Sequence, residues 1–334
     1  MSKAAVNIGL VGLGIGQTHL NNLANIPAAN IAAIADLNLE KAGEYAAKHG
    51  ANAYPDWRAM LAGEPNLDAV VLATPAKIRR EPITAIAERG LALFCEKPPA
   101  TNLAEALEIS QIVTKSGILN TVGFMYRWTP LATQFRELVA GRHLLFARGV
   151  YAWPVFGRVK NGDFPQNLLH KSGCGGPLIE QAIHFLDVLR YITDDEPVAV
   201  QAFANLGTLY DQTGRDCEET TAYILRHQSG MVSNHIHNWS HEGCMLQTQV
   251  IGEKFELTWN MDPAKTRLTG TVDGVSIDER AAASGYAEEM VGFVEAVRTG
   301  DQSLLRSPYA DACKSLAVCE AGNRAVETGQ PVAI

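Results

Sequence analysis

The chain has 334 residues, 47% of them hydrophobic and 19% charged, a balance that suits a globular protein of two domains rather than one. Its net charge of −8 comes without any block of basic residues, which argues against nucleic acid and anionic membrane as partners. No apolar stretch reaches the roughly 18 residues of a membrane span, no cleavable leader is evident, and six cysteines without a C-x-x-C pair read as reduced thiols of a cytoplasmic protein.

Val6 to Val11 reads as a short strand that enters Gly12-Leu13-Gly14-Ile15-Gly16-Gln17, followed by a helical stretch to Ala24. Strand, glycine-rich turn and helix open a dinucleotide-binding fold. The first glycine permits the tight turn, and the second lets the backbone approach a pyrophosphate seated on the amides of the helix N-terminus. Gly12, Leu13, Gly14, Ile15 and Gly16 are thus the expected cradle. A strict G-x-G-x-x-G has glycine where this chain has Gln17, so a loop shorter by one residue is expected.

The next strand, Ile31 to Ala35, ends in Asp36, 24 positions after Gly12. An acid there can hydrogen-bond a ribose 2′-hydroxyl and repels a 2′-phosphate. Leu37 and Asn38 follow and Lys41 is the nearest base, so NAD is preferred, with NADP possible. Asp36 or Asn38 could equally cap the helix expected from Glu40 to His49.

Asp68 to Thr74-Pro75 is a buried strand with a polar exit, followed by a helix from Glu81 to Arg89 and Gly90. The run Leu91-Ala92-Leu93-Phe94 suits a strand buried on both faces. It leads through Cys95 to Glu96-Lys97 and is stopped by Pro98 and Pro99. A helix from Leu103 to Lys115 and a strand from Leu119 to Phe124 follow. The alternation predicts a Rossmann-type doubly wound parallel sheet over residues 1–124. Thr74, Pro75, Glu96 and Lys97 would lie on its carboxyl edge, where such sheets bind ligands.

From residue 125 the pattern changes. A helix from Met125 to about Ala140 precedes longer, alternating strands: Leu145–Trp153, Val198–Leu206, Glu219–Arg226, Met231–Trp239, Leu246–Ile251 and Phe255–Asn260. Two helices close the chain, Tyr286–Thr299 and Pro308–Glu327. Residues 125–334 thus read as an α+β domain with a mostly antiparallel sheet, suited to substrate binding and oligomerisation. The stretch Val155 to Pro177, with five glycines, reads as a long loop.

After that loop, Leu178 to Asp187 reads as a helix with Glu180 and His184 at i and i+4. A carboxylate so placed can orient an imidazole and leave its other nitrogen to move a proton. Asp187, three residues on, could hold the ring from the other side. A buried histidine beside a helical salt bridge has the same spacing.

Gly12-x-Gly14, Glu96-Lys97-Pro98, Gly123-Phe124-x-x-Arg127 and Gly175-Gly176-x-x-x-Glu180-x-x-x-His184-x-x-Asp187, in this order, resemble the Gfo/Idh/MocA oxidoreductases. So does the terminal stretch Phe293-x-x-Ala296-Val297-Arg298-x-Gly300-Asp301 with Asp311. The resemblance implies an N-terminal Rossmann domain, a C-terminal domain on a large open sheet, and bound NAD(H) or NADP(H). It implies that Lys97 and His184 are catalytic. Glu180 stands where the family more often has Asp, and Arg79 where many members have His. The reaction implied is hydride exchange between NAD(P) and a hydroxyl or carbonyl of a sugar, cyclitol or related polyol. His184 would take the proton with Glu180 tuning it, Lys97 would bind the reacting oxygen, and Glu96 would fix Lys97. Tyr126, Arg127, Trp153, Asn167, His170 and Lys171 are candidate substrate contacts beside Lys97, Glu180 and His184, with a structural role the alternative for Arg127 and core packing the alternative for Trp153. A homodimer or homotetramer is expected.

Two alternatives stand beside this reading. His235 and His237, on one face of a strand with His241 close by, could ligate zinc, although no metal is expected. The dinucleotide fold could also serve as a non-catalytic sensor or scaffold.

Overall fold

A computed structural model describes residues 3–207, 214–281 and 285–334. The chain opens as β1 (Val6–Val11), α1 (Gly16–Leu23), β2 (Ala29–Ala35), α2 (Leu39–His49), β3 (Asn52–Tyr54), α3 (Trp57–Gly63), β4 (Ala69–Leu72), α4 (Arg80–Glu88), β5 (Ala92–Glu96), α5 (Leu103–Ser116) and β6 (Asn120–Gly123). Side chains mark the helix starts. Asn38, Asp56 and Asn102 each accept a hydrogen bond from the amide three residues on, capping α2, α3 and α5. Gly50 and Gly117 end α2 and α5 in the left-handed region, at φ 67° in both cases.

The strands form one parallel sheet in the order β3-β2-β1-β4-β5-β6. The order reverses between β1 and β4, which opens a crevice at their carboxyl ends. Every residue of β4 and β5 is buried, as the unbroken apolar runs require of strands covered on both faces.

Next come α6 (Pro130–Val139), β7 (Leu144–Ala152), α7 (Val155–Lys160), α8 (Lys171–Cys174), α9 (Ile183–Thr193) and strands β8 (Pro197–Asn205), β9 (Thr220–His227), β10 (Val232–Asn238), β11 (Met245–Gly252), β12 (Phe255–Asn260), β13 (Arg267–Val272) and β14 (Val275–Arg280). The chain ends with α10 (Gly285–Thr299), α11 (Tyr309–Thr328) and β15 (Val332–Ala333). A nine-stranded sheet runs β14-β13-β12-β11-β7-β10-β9-β8-β15. Among the described residues, only the β7–β10 pair of this sheet is parallel. The fold is therefore the Rossmann sheet plus the open, mostly antiparallel sheet expected.

Three local expectations are corrected. The helix expected from Met125 is a 3-10 turn, Met125–Trp128, and then α6, because Thr129 caps a new helix that has Pro130 in its first turn. Val155 to Pro177 is not structureless: α7, a 3-10 turn at Gln166–Leu169 and α8 lie within it. The β13–β14 hairpin was not anticipated. Its turn, Asp273-Gly274, has φ 50° and 81°, the left-handed pair that joins two-residue hairpins.

Residues 1–128 and 284–313 form one compact unit, and 129–283 with 314–334 the other. In the first, Met290, Phe293, Val294 and Val297 of α10 join Leu10, Leu13, Leu20 and Phe94 in the core. In the second, Phe185 of α9 meets Tyr151 of β7 edge-on, ring centroids 4.8 Å apart, and so covers one face of the sheet.

Two glycines should respond oppositely to alanine. Gly292 lies where an added Cβ would run into the Trp128 indole, whereas nothing lies within 4 Å of one at Gly43 in the middle of α2. Gly292→Ala is expected to cost about 1–3 kcal/mol and Gly43→Ala to gain about 0.5–1 kcal/mol, read as opposite shifts of the thermal unfolding midpoint.

Candidate active site

The glycine loop leaves β1 through Gly12, at φ 93°, a backbone that L side chains rarely adopt. A Cβ there would also approach the Ala73 carbonyl oxygen to 2.8 Å. Gly14 has open space around its Cβ position, and a Cβ on Gly16 would press on Leu10 and Ala73 at 3.2 Å. The three glycines thus serve a turn, a close approach and helix–sheet packing. The loop is held from one side by Gln17, whose amide donates to Leu13 O at 2.5 Å and accepts from Tyr45 Oη at 2.5 Å. Glutamine at this position ties the loop down.

Asp36, at the end of β2, faces the same loop. Its Oδ2 accepts from the Leu13 amide at 2.6 Å and its Oδ1 from the Asn38 amide at 2.9 Å. The cap of α2 is Asn38. Each carboxylate oxygen keeps a further lone pair for a ribose hydroxyl. Lys41 donates to Leu13 O at 2.8 Å. Thr74, just past β4, buries an Oγ1 without a hydrogen-bond partner, a polar atom of the kind a bound group satisfies. The open backbone at Gly14, the acid at Asp36 and the orphan hydroxyl of Thr74 fit a dinucleotide on this edge.

Glu96 and Lys97 leave β5 on that edge, and Lys97 is half-buried. Glu96 is 3% exposed. Its Oε1 lies 2.5 Å from His19 Nε2 and its Oε2 accepts from the Lys97 amide at 3.0 Å. Burial pushes this carboxyl up, but the His19 hydrogen bond and the charges of His19, Lys97 and Arg79 outweigh that and hold it below its ordinary range. Gly123 pairs with Glu96 across β5 and β6, and a Cβ there would come within 2.9 Å of the Phe94 ring and 3.3 Å of Glu96 Oε1.

Arg79 is the residue that motif reading undervalued. It is 3% exposed. Its guanidinium donates to Thr74 O at 2.9 and 2.5 Å, to Lys97 O at 3.4 Å, and to the carbonyls of Glu96 and Pro98. One planar cation thus ties the end of β4 to the turn after β5. Tyr309 Oη adds a bond to Pro99 O at 2.7 Å. The only sequence signal was an arginine just after Thr74-Pro75.

In the second unit the helix expected from Leu178 is present, but Leu178–Ala182 is π-helical before α9 begins. Glu180 lies in the π turn, half-buried, and His184 in the first turn of α9, 5% exposed. The simple i, i+4 stacking expected of them is therefore modified by the wider turn, a departure common at functional sites. Asp187 accepts from Ser315 Oγ at 2.8 Å, and Arg190 donates to the same hydroxyl at 2.6 Å.

The other expected substrate contacts divide. Arg127 is 4% exposed, and its guanidinium donates to Arg306 O and pairs with Asp311, each at 2.7 Å. Tyr126 is buried in the turn before α6. Trp153 packs on a cluster that includes Phe156 and Trp239. Asn167 and His170 are exposed. Lys171 donates its amide to Asp216 at 2.7 Å and its ammonium to Glu218. His235 and His237 point into the covered face of the sheet. Burial pushes His235 down to about 3 and His237 well below the ordinary histidine range, so both rings stay neutral. His235 stacks on Tyr223, and His237 Nε2 lies 3.3 Å from Gln181. Among the described residues, the cluster of metal-ligating side chains is His19, Glu96 and Glu289, not the histidine strand.

Comparison with known proteins identifies both domains. Residues 6–124 match the family model described as "Oxidoreductase family, NAD-binding Rossmann fold", and residues 143–258 match the GFO/IDH/MocA C-terminal domain. Inositol 2-dehydrogenase 1 of Mycolicibacterium vanbaalenii is 29% identical over 345 residues, 98% of this chain and 96% of that protein. The NAD(+)-dependent scyllo-inositol 2-dehydrogenase of Bacillus subtilis is 25% identical over 337 residues, again 98% and 96%. In fold, the crystal structure of aldose-aldose oxidoreductase from Caulobacter crescentus superposes with TM-score 0.86 at 21% identity, covering 99% of this chain and all of that one. The glycine loop, the Asp36 carboxylate and the two matched domains together make this chain a member of the GFO/IDH/MocA family, an NAD(P)-dependent oxidoreductase acting on CH–OH groups.

Proposed function

We propose that the chain interconverts a secondary hydroxyl and a carbonyl on a cyclitol, sugar or related polyol, using NAD(H) in preference to NADP(H). The observation that carries this reading is the convergence of Gly12–Gly16, Asp36, Thr74 and Glu96–Lys97 on one edge of one parallel sheet. The inositol dehydrogenases among its relatives support a cyclitol as the first substrate to try. When bound, the nicotinamide supplies a hydride acceptor or donor. The amides of the Gly12–Gly16 turn would hold the pyrophosphate, and Asp36 would take the ribose hydroxyls. The Lys97 ammonium donates to the reacting oxygen and stabilises the charge that develops there. His184 accepts the hydroxyl proton in oxidation and returns it in reduction, tuned by Glu180.

The first unit is the cofactor-binding one, and the second supplies substrate contacts and self-association. Lys171 is the first of the polar substrate candidates to test, since its side chain lies beside Gly176, four residues before Glu180, and its ammonium pairs with Glu218. For self-association, the uncovered face of the large sheet is notably apolar. Phe146, Phe203, Ile224, Val232 and Ile236 are all more than 40% exposed. Val232 lies opposite Phe146 in the register of β10 and β7. Such a surface suits a second copy of the chain in a dimer or tetramer. Among the described residues no helix is long and apolar enough to cross a membrane. The six cysteines are free, which suits the cytoplasm.

A polyol panel followed by NADH absorbance tests the reading. Cyclitols are expected to turn over, NAD to outperform NADP, and Lys97→Met and His184→Ala each to lose about 10²–10⁴-fold in kcat; NAD binding without turnover of any polyol would instead indicate a sensor. Arg79→Ala is expected to lower kcat/KM by up to about a hundredfold through misplacement of the Lys97 turn. Arg79→Lys should not restore it, because a point cation cannot span the carbonyls that a guanidinium does. Ile224→Glu combined with Ile236→Glu should lower the molar mass measured by light scattering to that of one chain.

A further inference from the structure

The most unusual group of side chains in the first unit lies behind Lys97. His19 and Glu289 are both fully buried, and Glu96 is 3% exposed. His19 Nε2 lies 2.5 Å from Glu96 Oε1, and His19 Nδ1 lies 3.9 Å from Glu289 Oε1. The imidazole is clamped edge-on between Phe94, at 5.0 Å, and Tyr286, at 5.8 Å. Neither Glu289 oxygen nor His19 Nδ1 has a hydrogen-bond partner. Three chain segments far apart in sequence, α1, β5 and α10, each insert one polar side chain into an otherwise apolar core. A cost of this kind is retained where the groups do something.

We propose that His19 and Glu289 are positioning residues for Lys97, acting through Glu96. This rests on the reading of Lys97 as the group that binds the reacting oxygen. Glu96 is the carboxylate of the group, and an ionised acceptor at 2.5 Å makes His19 Nε2 the donor. The other ring nitrogen, Nδ1, then faces Glu289 Oε1 at 3.9 Å. An ionised Glu289 would set two buried carboxylates against one imidazole with no hydrogen bond to either Glu289 oxygen, a desolvation cost that a neutral Glu289 avoids. Burial pushes the Glu289 carboxyl well above its ordinary range, and the charges of Glu96 and Glu288 push the same way. The charged and titratable groups around the trio are Glu288, Tyr286, Tyr126, Lys97 and Arg79. Lys97 and Arg79 lie on the Glu96 side, so Glu96 keeps its charge and Glu289 gives its up. The chain of contacts runs from the Glu289 acid to the His19 ring, to the Glu96 carboxylate, to the Lys97 amide. It fixes the backbone from which the Lys97 ammonium reaches out.

The same three side chains could also present ligand atoms to a metal ion, all within 4.8 Å of one another. The hydrogen bond already made between His19 and Glu96, and the use of Glu96 Oε2 by the Lys97 amide, favour the proton over a cation.

Three measurements on the full chain decide the matter. Infrared difference spectroscopy of wild type against Glu289→Gln at neutral pH is expected to show an un-ionised carboxylic acid that the variant lacks; its absence would overturn the proposal. Quantitative reductive methylation of Lys97, read by mass spectrometry in the NADH complex, is expected to rise about threefold or more in His19→Phe, the order of change that loss of one modest hydrogen bond produces, and to a smaller but measurable extent in Glu289→Ala, which loses the 3.9 Å contact to the ring. Glu289→Gln, which mimics a neutral acid, should return to the wild-type rate. Equal behaviour of the Gln and Ala variants, or no change in either, would refute the role. If the Ala and Phe variants fail to fold, the infrared comparison and the Gln variant still decide. Metal analysis is expected to be blank; one equivalent of metal, lost in Glu289→Gln, would replace the proton with a cation. Loss of turnover in Lys97→Met with normal Lys97 labelling in His19→Phe would sink this proposal and leave the functional reading intact. Unchanged turnover in Lys97→Met would sink the functional reading and leave the infrared and labelling arms to judge the trio alone.

Discussion

A carboxylate buried at the end of a central strand is the constraint around which the first unit is arranged. Glu96 has only 3% of its surface exposed, and an uncompensated charge at that depth would cost several kcal/mol. Every neighbour of consequence answers it. His19 comes from the first helix, the Lys97 amide from the next residue, and Arg79 from the start of α4. Gly123, opposite on β6, leaves out a side chain that would crowd its oxygen. The turn that carries the lysine is therefore over-determined. It is held by its own backbone, by a guanidinium on four carbonyls and by the Tyr309 hydroxyl.

Over-determination is what a hydride-transfer site asks of its protein. The cofactor carries the chemistry, and the chain must place one oxygen and one proton within a fraction of an ångström. The glycine loop shows the same logic. Asp36 holds the Leu13 and Asn38 amides, while Gln17 and Lys41 tie down the Leu13 carbonyl. The departure from the usual glycine spacing is compensated by hydrogen bonds.

Much of this was legible in the sequence because local chemistry and tertiary role coincide there. The apolar runs of β4 and β5 can only be doubly buried strands, and Gly12, Asp36 and Glu96-Lys97 follow such strands at the spacing the chemistry needs. Legibility failed where a residue's role depends on segments distant in the chain. Arg127 carries a motif that suits either a substrate contact or a structural role, and its contacts with Arg306 and Asp311 reach some 180 residues along the chain. His19 and Glu289 lie on helices without any motif of their own. Only the fold brings them to Glu96. The π turn at Leu178–Ala182 was invisible because its sequence also suits an α-helix. The β13–β14 hairpin announced itself only through Asp273-Gly274, between strands too polar to stand out.

The return of α10 to the first unit bears on how the protein is made. The NAD-binding half does not end with its last parallel strand. Residues 290–297 complete its apolar core, although roughly 160 residues of the other unit are synthesised between β6 and α10. During translation the first 128 residues emerge with part of their core facing water. They must wait, exposed, until almost the whole chain has left the ribosome. Chains that interrupt one domain with another fold late and depend on protection in the interval. Truncation anywhere before residue 305 would thus damage the half of the protein encoded first.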